Sequence, residues 1–469
     1  MDAVYDLVVI GAGSAGLVAA PFASAVGAKV LLVEKDRIGG DCTWTGCVPS
    51  KALIHTAGIV HGMRDAVALV GGASAPTLDA DRIMERVRIA IDGVYAFETP
   101  DALLQQGVEV AFGAAHFVDR DTIAIGNRHV TSRDFVVCTG AEPIVPSIPG
   151  LAQTPFLTYK DVFSLKALPH RLLVLGSGPI GAELAQAFGR LGSEVVLVEA
   201  ADRLLPIADP DASAVLRDRF MREGVEVFVR APVDHIERTV HGIALTGAGL
   251  RIEGDALLVA VGRRPRLDEL NLDRAAVAFS EDGISVDSTL RTSNPRVYAA
   301  GDAAGSLQFT HYAGWQGYAA ARNALFPGAM RGKREGVPWV VFTDPEVGQV
   351  GLTEKEARQR GWRAEVLRLP VERIDRAQTT GDLDGFIKLV THNDTLIGAT
   401  VVAPVAGEVI NELALAIQSR ATLRQLSSTI HVYPTYGTGI QQLASNASIA
   451  GFVRGWQGRL LRRLMKRST

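Results

Sequence analysis

The run Gly39-Gly40-Asp41-Cys42-Thr43-Trp44-Thr45-Gly46-Cys47-Val48-Pro49-Ser50-Lys51 holds the residues best able to do chemistry in this chain. Its two cysteines lie five positions apart in a protein of 469 residues that has only three. Zinc sites usually draw four ligands from Cys and His, and no second cysteine pair exists to complete one, so no resident metal is expected. A close pair in a thiol-poor chain can instead cycle between disulfide and dithiol. Structural disulfides are rare in a reducing cytosol, and one found there is more often catalytic. Two buried cysteines packed as small apolar residues would be the plainer reading. The Gly, Pro and Lys around this pair argue against it.

Elements that could bring electrons to the pair occur twice. Leu7-Val8-Val9-Ile10 reads as a buried strand, followed by Gly11-Ala12-Gly13-Ser14-Ala15-Gly16, a helical stretch, Val30-Leu31-Leu32-Val33 and Glu34. Strand, Gly-x-Gly-x-x-Gly, helix, strand and acidic residue make a dinucleotide-binding fingerprint in its required context. The first glycine allows the turn, the second admits a pyrophosphate, and the third lets helix and strand pack closely. The phosphates meet the positive end of the helix, and Glu34 is expected on a ribose. The pattern returns at Leu172-Leu173-Val174-Leu175, Gly176-Ser177-Gly178-Pro179-Ile180-Gly181 and Val195-Val196-Leu197-Val198-Glu199. Gly11 to Glu34 and Gly176 to Glu199 are both 23 positions. One such motif is weak evidence; two with equal offsets predict two bound dinucleotides.

A dithiol cannot itself accept a hydride from a nicotinamide, whereas a flavin can, and can pass two electrons to a disulfide. FAD is therefore expected at the first loop and a nicotinamide nucleotide at the second. Glu199 favours NADH because a carboxylate repels a 2′-phosphate. Arg203, close in sequence, leaves room for NADPH.

With these paired motifs and this cysteine segment, the chain resembles the class I flavin-dependent pyridine nucleotide–disulfide oxidoreductases, among them lipoamide dehydrogenase, glutathione reductase and mercuric reductase. The resemblance implies an α/β fold with two Rossmann-like domains, for FAD and NAD, and a C-terminal α+β dimerisation domain. Expected boundaries are an FAD domain over 1–148, an NAD(P) domain over 149–266, an FAD return segment over 267–335, a dimerisation domain over 336–450 and a basic tail over 451–469. The resemblance places Gly11, Gly13, Ser14, Ala15, Gly16, Glu34, Lys35, Gly40 and Asp41 at the flavin nucleotide. Thr139 and Gly140 would close the first FAD segment, leaving Cys138 an inert strand cysteine. Gly301 and Asp302 form the later FAD motif, with Asp302 on the ribityl chain. Thr310 and His311 would open a helix over 310–322 at the flavin's pyrimidine end, where its positive pole stabilises negative charge. Gly176, Gly178, Pro179, Ile180, Gly181, Glu199 and Gly262 belong to the nicotinamide nucleotide, and Pro179 suggests an unobstructed pocket. Cys47 is then the flavin-proximal thiol and Cys42 the interchange thiol. Lys51 reaches the flavin edge, with Glu183 as its ion-pair partner.

The resemblance also shows a departure. Family members acting on lipoamide or glutathione carry His-Pro-Thr and a later Glu, supplying an acid–base from the partner subunit. Here the segment is His431-Val432-Tyr433-Pro434-Thr435-Tyr436-Gly437-Thr438, with Tyr433 in the place of the base and Thr438 in that of the Glu. A phenol (pKa ~10) is a poor base at neutral pH, where imidazole (~6.5) serves well. His431 would have to turn into the site to replace it. Low turnover with lipoamide follows. Mercuric reductases tolerate tyrosine here, because a soft metal needs thiolates more than a proton shuttle. They also carry a C-terminal cysteine pair and an added N-terminal domain, neither of which this sequence shows. The expected function is hydride transfer from NADH through FAD and Cys42–Cys47 to a disulfide or thiol-bound metal. Alternatives are mercury(II) reduction, dihydrolipoyl dehydrogenation, or an accessory flavoprotein or quinone reductase at a membrane surface.

The bulk numbers set limits. A net charge of −3 gives no global attraction to nucleic acid. Apolar residues at 47% and charged residues at 21% are ordinary for a globular enzyme. The first strand begins almost at once, so no signal peptide is expected, and no apolar run reaches the ~18 residues of a membrane span. A cytoplasmic homodimer is expected. Residues 451–469 carry Arg454, Arg459, Arg462, Arg463, Lys466 and Arg467 without an acidic residue, and Phe452, Val453, Trp456, Leu460, Leu461 and Leu464 share a helical face. Such a helix either docks on its own dimer, the preferred reading, or lies on an anionic membrane.

Overall fold

The structure is a computed structural model that describes residues 4–71, 77–305 and 307–465. The chain divides into two compact units, one of Met1–Ala200 with Glu223–Arg334 and one of Ala201–Arg222 with Glu335–Thr469.

In the first unit, β-branched and leucine-rich runs form two sheets built on parallel strands, the first extended by the antiparallel strands Thr122–Ile125 and Ala115–Phe117. The first sheet runs Val108–Phe112, Val30–Glu34, Tyr5–Ile10, Arg128–Val137, and Val297–Ala299 pairs with the last of these. Leu7, Val8 and Val9 are fully buried, as expected of a strand covered on both faces. The strand Tyr5–Ile10 lies between Val30–Glu34 and Arg128–Val137, so the loop that follows it opens inside the sheet. The second sheet repeats the plan with Glu226–Phe228, Glu194–Val198, Arg171–Leu175 and Ala256–Val259, all parallel. An antiparallel meander, His235–Thr239, Gly242–Gly247 and Leu250–Gly254, follows in chain order before Ala256–Val259. Ala141–Pro143 pairs with Arg263–Pro265, tying the chain's exit from the first sheet to its exit from the second.

The second unit is an antiparallel five-stranded sheet in the order Trp339–Val341, Glu346–Gly351, Thr395–Ala403, Phe386–His392, Ala364–Pro370. The helices Ala406–Gln418 and Thr438–Arg454 contribute Ile410, Leu413, Ile440 and Ala444 to its core. Segment 201–222, inside the stretch expected over 149–266, groups with this unit. Lys388 on the strand Phe386–His392 holds Asp209 at 2.9 Å and Asp211 at 2.7 Å, anchoring the start of the helix Pro210–Arg222. Among the described residues no helix is long and apolar enough to cross a membrane.

Candidate active site

Cys42 sits in a one-turn helix, Gly40–Trp44, and Cys47 opens the 24-residue helix Cys47–Val70. The link between them is tight, since a Cβ on Gly46 would lie 2.7 Å from the Asp41 carbonyl oxygen. The two sulfurs come within hydrogen-bonding reach of each other. Cys47 Sγ also lies 3.1 Å from Thr310 Oγ1, the first residue of the helix Thr310–Leu325. Together these contacts lower the Cys47 thiol to about 6, the hydrogen bond from Cys42 contributing most, against burial, with Lys51 and Thr310 adding to it. A position at a helix N-terminus favours the thiolate in the same sense. Cys42 is pushed the other way by its hydrogen bond to Cys47 and by burial. In the dithiol the proton therefore rests on Cys42 and the negative charge on Cys47. Cys138 is buried, and burial alone raises its thiol, which leaves it inert.

Lys51 stands one turn after Cys47 on the same helical face. Its Nζ donates to Glu183 Oε2 at 2.8 Å, and Glu183 is buried on the helix Pro179–Arg190. The pair thus joins the cysteine helix to the helix that follows the second glycine loop. His311 is exposed and stacks against Phe309.

The first glycine loop has the features of a nucleotide cradle. Gly11 has φ +103°, and a Cβ there would lie 2.4 Å from the Cys138 carbonyl oxygen, so only glycine fits. Glu34 Oε2 accepts from the Ala12 amide at 2.7 Å and its Oε1 from the Asp36 amide at 2.8 Å. Ser14 lies within hydrogen-bonding reach of Cys42. Ala15 is buried in the core against the helix Thr310–Leu325, where a Cβ on Gly317 would meet the Ala15 carbonyl oxygen at 2.1 Å. Lys35 is half exposed and ion-pairs with Glu269. Asp41 accepts from Tyr159 Oη at 2.6 Å. Thr139, beside Gly11 and before Gly140, keeps a buried hydroxyl with no hydrogen-bond partner among the described contacts. A buried orphan hydroxyl next to a glycine cradle fits a polar ligand such as FAD. Asp302, in the turn Gly301–Ala304, is raised by burial and pairs with Arg263 at 2.9 Å. Arg263 also donates to the Gln308 carbonyl at 2.6 Å, two residues before Thr310. It thereby ties the strand Arg263–Pro265, next to Gly262, to the helix start that touches Cys47.

The second loop repeats the first. Glu199 Oε2 accepts from the Ser177 amide at 2.8 Å and its hydroxyl at 2.7 Å. Pro179 and Ile180 begin the helix that carries Glu183, with proline at the first turn where no amide is needed. Arg203 is engaged by Asp202 at 3.2 Å and by the Pro206 carbonyl at 2.8 Å.

In the second unit, Tyr433 and Thr438 line an open polar cleft of about 350 Å³ with Arg373, Asp375 and Gln441. Tyr433 is exposed, and its hydroxyl donates to Asp375 at 2.9 Å, which raises the phenol. His431 does not turn outward to replace a base. Its ring is 93% buried, with Nε2 2.8 Å from Glu412 Oε1 and Nδ1 3.1 Å from the Thr429 carbonyl.

Sequence reasoning missed the Arg263–Asp302 tie, Tyr159 on Asp41 and the Thr310 hydroxyl on Cys47. Arg263 lay in plain view beside Gly262, but nothing local to Tyr159 pointed to Asp41.

Residues 5–317 match the family model described as pyridine nucleotide-disulphide oxidoreductase, and residues 337–444 match its dimerisation domain. The chain is 35% identical to a mercuric reductase of Staphylococcus aureus, over 94% of this chain and 82% of that one. It is 37% identical to a dihydrolipoyl dehydrogenase of Thermus scotoductus, over 94% and 96% of the two chains. Among solved structures, the HOCl-induced flavoprotein disulfide reductase RclA of Escherichia coli, as its Cu(II) complex, matches with a TM-score of 0.86 and 29% identity, covering 95% of this chain and 99% of that one. The thiol pair, the two glycine cradles and these matches agree: the chain belongs to the pyridine nucleotide–disulphide oxidoreductases, FAD enzymes that use NAD(P)H.

Proposed function

We propose that this enzyme uses NADH, through FAD at loop 11–16, to reduce the Cys42–Cys47 disulfide, and that the resulting dithiol reduces a disulfide or a thiol-bound soft metal ion. Bound FAD supplies the two-electron step between the nicotinamide and the sulfurs. The observation that carries the reading is Cys47, a thiol lowered to about 6 at a helix N-terminus and in contact with Cys42. Lys51 holds positive charge beside that thiolate, and Glu183 fixes the lysine in place. Glu199 at the ribose position, and Arg203 engaged by Asp202 and Pro206, support NADH over NADPH.

For a disulfide substrate, Cys42 gives up its proton as it attacks one sulfur, and the other half leaves as a thiolate that takes up that proton. The Cys47 thiolate then attacks Cys42, restoring the Cys42–Cys47 bond and releasing the second half as a thiolate that is protonated from solvent. We assign the enzyme to a homodimer in which a second copy supplies Tyr433. Asp375 keeps that phenol protonated, so it donates a hydrogen bond and is a weak base. A thiolate-bound metal ion makes a smaller demand on proton transfer than lipoamide does, and the mercuric reductases and the Cu(II)-bound reductase among the relatives support that substrate class.

The test is anaerobic titration with NADH, followed by steady-state NADH oxidation with lipoamide, glutathione disulfide, mercuric ion and quinones. A thiolate charge-transfer absorption that Cys47→Ser removes, with low lipoamide turnover, is expected. Quinone reduction that survives Cys42→Ala at full rate would replace the dithiol relay with a flavin-only reductase.

A further inference from the structure

We propose that the C-terminal helix Trp456–Met465 docks this enzyme on an anionic lipid bilayer. The helix is seated rather than trailing. The preceding helix, Thr438–Arg454, ends at Gly455, where the backbone turns extended. Gly458 is buried, and a Cβ there would lie 2.3 Å from the Phe452 carbonyl oxygen, so the new helix rests against the end of the old one. Arg459 donates to the Arg454 carbonyl and Arg462 to the Val453 carbonyl, closing the elbow.

This seating leaves two unlike faces. At 100° per residue, Trp456, Leu460, Leu461 and Met465 fall within one half of the helix circumference. They are 67%, 49%, 48% and 66% exposed, and Ile449, Phe452 and Val453 at the end of the preceding helix are exposed as well. Gly458, Arg459, Arg462 and Arg463 occupy the other half. Residues 451–469 carry six basic side chains and no acidic one; Lys466 and Arg467 of these lie outside the described residues.

The pairing of faces selects the occupant. A bilayer interface takes the apolar half into its acyl boundary and offers lipid phosphates to the arginines, and tryptophan favours that depth. Nucleic acid would satisfy the arginines and leave the leucines in water. A second copy of the same helix would cover the apolar half and leave the arginines in water with no anionic partner, and the family's dimerisation domain is matched only to residue 444.

The FAD-loaded, full-length enzyme is floated with vesicles of phosphatidylglycerol and phosphatidylcholine, or of phosphatidylcholine alone. About tenfold more protein should float with the anionic vesicles, falling as salt is raised. The double variant Leu460→Ser/Leu461→Ser and the double variant Arg459→Glu/Arg463→Glu should each lose this binding while NADH oxidation stays unchanged. Equal flotation of wild type and both variants overturns the proposal. So does dissociation of the dimer by Leu460→Ser/Leu461→Ser on size exclusion, which would make the face a subunit contact. Binding of duplex DNA in place of vesicles overturns it too.

Discussion

Loops 11–16 and 176–181 have almost the same backbone, with φ +103° at Gly11 and +99° at Gly176. A Cβ on Gly16 or Gly181 would sit 1.9 or 2.0 Å from the carbonyl oxygen of the first glycine in its own loop. Each loop gives its second residue's amide to the terminal glutamate, Ala12 to Glu34 and Ser177 to Glu199. What lies across them differs. A Cβ on Gly40 would meet the Gly13 Cα at 2.8 Å, whereas a Cβ on Gly178 would meet nothing within 4 Å. The segment that closes the first loop leads directly to Cys42. One loop is thus roofed by the redox segment, which suits a resident flavin, and the other stands open, which suits a nucleotide that comes and goes.

The largest effect should come from the roof's own cargo. Cys47→Ser is expected to cut disulfide reduction by at least ~1,000-fold while flavin absorbance and dye reduction persist. Equal loss of flavin would mean that the roof and the redox pair are one structural element. Gly40→Ala comes next, because its φ of +57° and its contact with Gly13 both forbid a side chain. Backbone strain of ~1–3 kcal/mol before any clash predicts up to ~100-fold weaker FAD retention, read by flavin absorbance after gel filtration. Glu199→Gln acts on the open loop alone. It should shift the NADPH-to-NADH ratio of kcat/KM by about tenfold, with FAD content unchanged.

The thiolate offers a smaller, pH-dependent test. Because the Cys47 thiol is lowered to about 6, its thiolate persists above that pH and is lost as pH falls through it. The charge-transfer band of the reduced enzyme should fade with that midpoint. Lys51→Met should move the midpoint up by about 1 unit. The smallest effect is reserved for Gly178→Ala, where open space predicts less than about threefold change in KM for NADH and full FAD content. A large loss of FAD there would erase the distinction between the loops.

Much of the site was legible because its signals are local. Cys47 and Lys51 share a helical face through their four-residue spacing, and each glycine loop announces itself by strand, glycines and acidic residue. The Lys51–Glu183 pair, 132 positions apart, was reached only through resemblance. Thr310 was expected at the head of a helix, yet its hydroxyl lies on Cys47, 263 positions away. His431 is the sharpest case: its spacing from Tyr433 left its direction open, and burial against Glu412 decided it. The grouping of 201–222 with the C-terminal sheet likewise depends on Lys388, which no pattern near Asp209 reveals.

By itself the sequence determined the positive-φ turns, the strand and helix periods, the thiol spacing and the acidic strand ends. Each of these follows from steric limits and hydrogen-bond spacing within a few residues. Only the tertiary structure decided which glycine loop is covered, where the hydroxyls and carboxylates around Cys42 and Cys47 come from, and which way His431 and Tyr433 face. Those outcomes depend on side chains far apart in the chain meeting in one packed arrangement, and spacing along the chain carries no record of such meetings.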